Sequence, residues 1–184
     1  MIHTHRIRSL VAVLAVAAVP ALGLVAPSSA ATGCPTGWGS LPETSSRTTT
    51  AQLTGVRSGQ HTCFDRLVID LNGRPAGYRV KYVSNVFTDG SGALVPLRGG
   101  AKLQIVVTAP DHDLNGNATY RPANKRELTN VAGYRTFRQV AWAGSFEGQS
   151  TIGLGVRARL PFRVFSLTGP GTGSRLVVDV AHRW

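Results

Sequence analysis

The chain has 184 residues, a length that fits one domain with a short appendage and allows a sizeable hydrophobic core. It carries 20 Lys and Arg against 9 Asp and Glu, a formal charge of +11. This basic balance favours anionic partners, and the absence of a motif that combines aromatic and basic residues argues against nucleic acid as the partner.

Residues 1–30 have the pattern of a secretory signal peptide. A basic leader precedes an apolar run, Leu10 to Val25, and the small residues Ser28-Ser29-Ala30 follow it. The alternative is a transmembrane anchor, but the run is short for a span and small residues follow it at once. We expect cleavage before Ala31, which leaves 18 Lys and Arg against 9 Asp and Glu, a charge of +9. The mature chain, without a membrane span, is then secreted and associated with the cell wall.

Residues 31–50 are rich in Pro, Gly, Ser and Thr and predict an extended N-terminal arm, with Trp38 packed on the body of the domain. Outside the cell, the pair Cys34 and Cys63 predicts a disulfide that pins this arm. Its loop of about thirty residues stabilises the fold by about 3 to 4 kcal/mol in the chain-entropy model. The alternative is a lipoprotein in which Cys34 is lipidated, although the preceding tripeptide lacks the usual Leu.

Residues 51–184 predict a β-domain, because short alternating runs are separated by turn residues about every ten positions. The predicted strands are Gln52–Arg57, Arg66–Leu71, Tyr78–Val83, Lys102–Ala109, Arg135–Trp142, Thr151–Arg159, Phe162–Leu167 and Arg175–Val180. Turns are predicted at Ser58–Gln60, Asn72–Gly73 (a hairpin), Thr88–Gly92, Gly144–Gly148 and Gly169–Gly173. This spacing indicates an all-β sandwich or barrel of about eight or nine short strands with little helix.

Two segments depart from simple alternation. Residues 111–130 form a long polar excursion, with a possible helical turn near Asn124–Leu128, and loops of this length are usually functional or mobile. The run Arg135–Trp142 carries apolar groups on both faces, which favours a central strand that is buried on both sides.

One phrase occurs twice: Arg66–Leu71 reads RLVIDL and Arg175–Val180 reads RLVVDV. On a strand the apolar residues of each copy face one side, and its Arg and Asp face the other. An Arg and an Asp four residues apart cannot pair within one strand, so each is expected to pair across to a neighbouring strand and help set the register. We expect the two segments to be paired strands of one β scaffold.

These two phrases, with about a hundred residues between them, resemble the AMIN and AMIN-like β-domains of bacterial envelope proteins. The segments Cys63–Leu71, Gly133–Trp142 and Arg175–Trp184 resemble most the AMIN-like group, which occurs as small secreted proteins of actinomycetes. The resemblance covers residues 50 to 184 and implies a two-sheet β-sandwich. AMIN domains direct envelope proteins to the cell wall, and some bind peptidoglycan. The resemblance supplies no catalytic residue.

Candidate catalytic and metal-binding groups are sparse. The histidines beyond residue 31 are His61, His112 and His182, in three separate regions, and no Gly-x-Ser-x-Gly motif occurs. The donor cluster Asp111–Asn117 lacks the closing bidentate Glu of a calcium loop and is typical of a solvated turn. Asp65, Asp70 and Asp179 lie beside arginines and predict structural ion pairs. We expect no enzymatic activity, no cofactor and no metal.

Binding residues are predicted on two neighbouring strands. Tyr134, Arg138 and Trp142 share a face if the register is regular, and Arg157 and Arg159 share a face with Gly153 and Gly155. Aromatic rings stack on sugars, arginines bind carboxylates or phosphates, and glycines let a flat polymer approach the sheet. The alternative is that the aromatic residues are core and the glycines allow packing. We expect a cell-wall glycan or teichoic acid as the partner, or alternatively an envelope protein bound by a secreted inhibitor or assembly module.

The chemical state of Cys34 gives a direct check on export. We expect mass spectrometry of the secreted protein to find a chain that begins at Ala31 and contains one disulfide between Cys34 and Cys63. A diacylglyceryl adduct on Cys34 would exclude the bridge and leave Cys63 unpaired.

Overall fold

The computed structural model describes Met1, residues 33–34 and residues 37–184. The predicted signal peptide, residues 1–30, lies outside the described residues apart from Met1. Strands and loops make up residues 37–184. The described part of the chain has no helix with the length and apolarity that a bilayer crossing requires.

Eleven strands occur in the described residues: β1 Glu43–Ser45, β2 Leu53–Gln60, β3 Phe64–Leu71, β4 Tyr78–Val83, β5 Val86–Phe87, β6 Leu94–Val95, β7 Ala101–Val107, β8 Phe137–Phe146, β9 Gln149–Val156, β10 Phe162–Thr168 and β11 Ser174–Ala181. A five-stranded sheet has the order β1-β4-β7-β9-β8, and a four-stranded sheet has the order β10-β11-β3-β2. Strands β5 and β6 form a separate two-stranded ribbon. The prediction of an all-β sandwich is confirmed. The three strands that the sequence did not predict, β1, β5 and β6, have only two or three residues each.

The core lies between the two sheets and follows from alternation along the strands. On β9, Ile152, Leu154 and Val156 are fully buried, as the sequence predicted. The same cluster takes in inward residues of both sheets, among them Leu67, Ile69, Leu103, Ile105, Phe137, Val140, Phe162, Leu176 and Val178. The turn between β8 and β9 is narrower than predicted, because Glu147 and Gly148 both adopt positive φ and make a two-residue hairpin connection.

The two copies of the repeated phrase lie side by side. Strands β3 and β11 are antiparallel neighbours, and Arg66 stands opposite Asp179. The Asp179 carboxylate is fully buried and forms ion pairs with Arg66 at 2.6 Å and Arg163 at 2.8 Å. The predicted cross-strand pairing is therefore confirmed at this end of the repeat. At the other end, Asp70 pairs with Arg57 on β2 and not with Arg175.

The predicted disulfide joins Cys34 to Cys63. Beyond it, the Trp38 ring lies 5.5 Å from the Phe64 ring and 4.3 Å from the Arg163 guanidinium, so Trp38 packs on the body of the domain. The arm then bridges to the start of β10 and contributes β1 to the five-stranded sheet. The described part of the arm thus contacts both sheets.

Two turn predictions are wrong. Ser58–Gln60 belongs to β2, and the chain turns only at residues 61–63. Asn72–Gly73 is not a hairpin, because β3 and β4 lie in different sheets. The Asn72 side chain bonds the backbone N–H of Gln52 at 2.7 Å and the Gln52 side chain at 2.6 Å. It therefore closes the β2–β3 pair while the chain crosses to the other layer.

Strand β8 is an edge strand, which corrects the prediction that it is central. Its backbone is covered by the long excursion, since Leu128 donates to the Val140 carbonyl at 2.8 Å and Trp142 donates to the Lys125 carbonyl at 2.7 Å. Residues Asn124–Leu128 form a single turn, in which the Glu127 N–H donates to the Asn124 carbonyl at 3.3 Å, followed by a bend, and contain no helix. The excursion thereby buries an edge that would otherwise be unpaired.

The outer face of β9 is covered, so the prediction that a polymer approaches Gly153 and Gly155 is wrong. A side chain added at Gly153 would meet Leu97 at 2.7 Å, and one added at Gly155 would overlap the Arg98 carbonyl oxygen. The segment that follows the β5–β6 ribbon lies directly on these two positions. Gly155 therefore allows backbone to pack on backbone, and Gly153 leaves room for the Leu97 side chain.

We expect Gly155→Ala to destabilise the fold by about 3 kcal/mol, because the methyl group forces the Arg98 segment away from β9. Chemical unfolding, with the disulfide intact, measures the change. Gly37→Ala is the control, since a side chain there meets nothing within 4 Å. Equal stability of the two variants would show that the segment does not pack on β9.

Candidate functional site

Of the five predicted binding residues, Trp142 lies in the core and the other four are at least partly exposed. Tyr134 and Arg138 line an open cleft beside the start of β8. Trp142 is only 8% exposed and packs in the core against Tyr120. Arg157 and Arg159 follow the end of β9 and are exposed.

An irregularity in β8 explains why Arg138 and Trp142 do not share a face. The pairing with β9 shifts between Phe137 and Gln139, so one extra residue is accommodated there. Phe137, Val140 and Trp142 consequently all face the core, and Arg138 stands at the bulge. The predicted stacking face is therefore wrong, because alternation assumed a regular register.

The cleft contains a basic residue that the sequence did not single out. Arg98 forms an ion pair with Glu127 at 2.6 Å and donates to the Arg138 carbonyl at 2.9 Å. The cleft is also lined by Tyr134 and has a volume of about 640 Å³. No local signal marks Arg98, because it reaches the cleft through the segment after β6, which the fold lays on β9.

Arg138 organises the loop before β8. Its guanidinium donates to the backbone carbonyls of Tyr134 at 3.0 Å, Phe137 at 2.8 Å and Arg135 at 3.3 Å. The side chain thus keeps its charge at the mouth of the cleft with its geometry fixed by the backbone. A fixed guanidinium loses little conformational freedom when it binds an anion.

Arg157 and Arg159 are held in a similar way. The Arg157 side chain donates to the His182 carbonyl oxygen. Arg159 lies 5.0 Å from the Tyr82 ring centroid and donates to the Ser40 carbonyl at 3.0 Å. Burial raises the pKa of Tyr82 above its ordinary value, while its hydrogen bond to Leu160 opposes that shift, so the ring under Arg159 is a neutral phenol.

These residues define one surface, which we call the cationic end. It comprises the arginines at the end of the sandwich where β8 begins and where β9 and β11 finish: Arg135, Arg138, Arg157, Arg159 and Arg183. Arg157 joins the segments, because its backbone N–H donates to the Thr136 carbonyl at 2.9 Å. Within residues 37–184, none of these arginines forms an ion pair. The cationic end therefore presents uncompensated positive charge.

The family model for the AMIN-like domain matches residues 51–182. The chain belongs to the AMIN-like family. Membership indicates an envelope-associated module, and the matched range includes four of the five arginines of the cationic end. No curated protein and no solved structure gives a significant match to the chain.

A buried His–Asp pair lies beneath the cationic end of the AMIN-like domain. The fully buried Asp65 accepts hydrogen bonds from the backbone N–H groups of Thr136 at 2.6 Å and Phe137 at 2.9 Å. His182 Nε2 lies 2.9 Å from the Asp65 carboxylate, and its Nδ1 lies 3.2 Å from the Thr62 carbonyl. Both ring nitrogens lie within hydrogen-bonding distance of oxygen atoms, so the ring is held between the Asp65 carboxylate and the Thr62 carbonyl.

The polar loop Asp111–Asn117 of the AMIN-like domain forms hydrogen bonds within itself. Asp113 accepts hydrogen bonds from the backbone of Asn115 and Asn117 and from the Asn117 side chain. The Asn117 bonds lower the pKa of Asp113 below its ordinary value. Within the described residues, no group of three or more His, Cys, Asp or Glu side chains is placed to hold a metal ion.

We expect His182→Ala to destabilise the AMIN-like domain by about 3 kcal/mol, because the buried Asp65 carboxylate loses the hydrogen bond to the His182 ring. Urea unfolding gives the difference. His112→Ala serves as the control, since its pair with Asp111 is partly exposed and contributes about 1 kcal/mol or less. Parental stability of His182→Ala would mean that the buried pair does not hold the sheets together.

Proposed function

We propose that this AMIN-like domain is a secreted, non-catalytic module that binds an anionic cell-wall polymer, peptidoglycan or teichoic acid, through the cationic end. The observation that carries the proposal is the set of arginines there that have no carboxylate partner among residues 37–184. Guanidinium groups bind carboxylates and phosphates in a planar, two-bond geometry, which suits a polymer that repeats such groups.

The pattern of charge pairing supports this assignment. Asp65, Asp70 and Asp179 are engaged with neighbouring side chains inside the fold. The remaining arginine charge therefore lies on the surface, where a polyanion encounters it. Each exposed arginine contact is weak and is screened by salt. Several such contacts along one polymer raise the overall affinity, because they bind the same molecule at once.

A protein partner is the second candidate, and the β5–β6 ribbon favours it. Phe87 and Leu94 stand directly opposite each other on the ribbon and are 47% and 55% exposed. Two large apolar side chains side by side on a surface are typical of an interaction site. A stoichiometric partner captured by crosslinking, and lost in Phe87→Ser, would support this function.

We expect the double variant Arg157→Ala with Arg159→Ala to bind isolated sacculi at least about fivefold more weakly than the parent protein. Two exposed contacts of about 0.5 kcal/mol each are lost. Co-sedimentation at several salt concentrations measures the affinity. Arg135→Ala with Arg183→Ala tests the same surface without disturbing the fold, because neither side chain forms a hydrogen bond within the described residues.

The control variant is Arg74→Ala with Arg121→Ala, which removes the same charge from exposed positions away from the cationic end. Parental binding by both cationic-end variants, or an equal loss in the control, would overturn the assignment. Sacculi stripped of teichoic acid separate the two polymers, because retained binding points to peptidoglycan.

A further inference from the structure

A second basic surface lies on the outer face of the four-stranded sheet. It is a groove of about 240 Å³ whose wall carries three guanidinium groups, those of Arg57, Arg66 and Arg175. Val68 and Val177 also line it, and they are only 6% and 1% exposed although they point away from the main core. The groove therefore combines an apolar floor with basic walls.

Two of the three guanidinium groups have carboxylate partners. Arg57 holds Asp70 through two hydrogen bonds of 2.8 and 3.0 Å. Arg66 holds Asp179 through two hydrogen bonds of 2.6 and 2.9 Å. Both are bidentate pairs, which fix the orientation of the guanidinium plane.

In the part of the chain that the structure describes, Arg175 has no carboxylate partner. It stands opposite Asp70 in the β3–β11 register, but Asp70 is bound by Arg57. Its side chain makes one long hydrogen bond, 3.4 Å, to the Thr168 carbonyl. Its Nε atom is buried without any hydrogen-bond partner, the one such side-chain atom in the described part of the chain. Within the described residues the fold therefore gives the Arg175 guanidinium neither a carboxylate nor a short hydrogen bond, so its charge remains available to an anion that enters the groove.

We propose that this groove binds a small organic oxyanion, a carboxylate or a phosphate monoester with a short apolar substituent, with Arg175 as the binding residue. The oxyanion supplies the acceptor that Arg175 lacks, and the substituent rests on Val68 and Val177. Arg57 and Arg66 add positive potential from fixed positions. This site is separate from the cationic end and does not depend on the polymer-binding function.

The test follows the arginine Nε–Hε resonances by NMR while butyrate, methyl phosphate or inorganic phosphate is added. The Arg175 signal is expected to shift and saturate with butyrate or methyl phosphate, about fourfold more tightly than with inorganic phosphate, because one methyl-sized group is buried on the valine floor. Arg175→Lys keeps the charge but removes the forked donors; in this variant the Nε–Hε signals of Arg57 and Arg66, which line the same groove, report the titration, and binding is expected to fall about tenfold.

Arg79→Gln is the matched control, since Arg79 is exposed on the other sheet, and it is expected to leave the titration unchanged. A shift spread evenly over the exposed arginines, or equal titration of the Arg57 and Arg66 signals in the parent and in Arg175→Lys, would show charge screening only and overturn the site. A preference for butyrate over methyl phosphate identifies the ligand group as a carboxylate, and the reverse identifies it as a phosphate. The result stands whether or not the domain binds sacculi.

Discussion

The buried carboxylate of Asp179 is the interaction on which the sandwich depends. It joins Arg66 on β3 and Arg163 on β10 to β11, so a single charge ties three adjacent strands in one register. A slip of one residue would turn the inward apolar residues of β11 outward and leave this carboxylate buried without partners. With the four-stranded sheet fixed in this way, Asp65 on β3 and His182 after β11 can hold the start of β8.

Much of the fold can be predicted from the sequence, because apolar and polar residues that alternate along a strand indicate that one face of the strand is buried. The repeated RLV-x-D phrase and the runs of β7 and β9 are therefore placed correctly. The errors arise where a distant segment decides the outcome. Asn72–Gly73 has the residues of a hairpin, yet the next strand joins the other sheet. The extra residue at Arg138 places Arg138 and Trp142 on different faces of β8. Arg98 covers Gly155 because a loop distant in sequence packs on β9, and no local sequence pattern indicates that contact.

The candidate site divides in the same way. Arg157 and Arg159 are exposed as a strand end predicts, whereas Trp142 is core because the bulge turns it inward. What the sequence could not supply is the count of unpaired charges. That number depends on which carboxylates form ion pairs inside the fold. Among the described residues, the arginines of the cationic end and Arg175 on the outer face are then without carboxylate partners. A fold held by buried carboxylates therefore yields a basic surface as a direct consequence.

The most direct test of this account is a double-mutant cycle between Arg66 and Asp179, with urea unfolding of Arg66→Gln, Asp179→Asn and the double variant. The account predicts a coupling free energy of about 1 kcal/mol or more, because the second change costs little once the pair is broken. If the two single effects add to within about 0.5 kcal/mol, the pair does not set the register of the two repeated strands, and the account is contradicted.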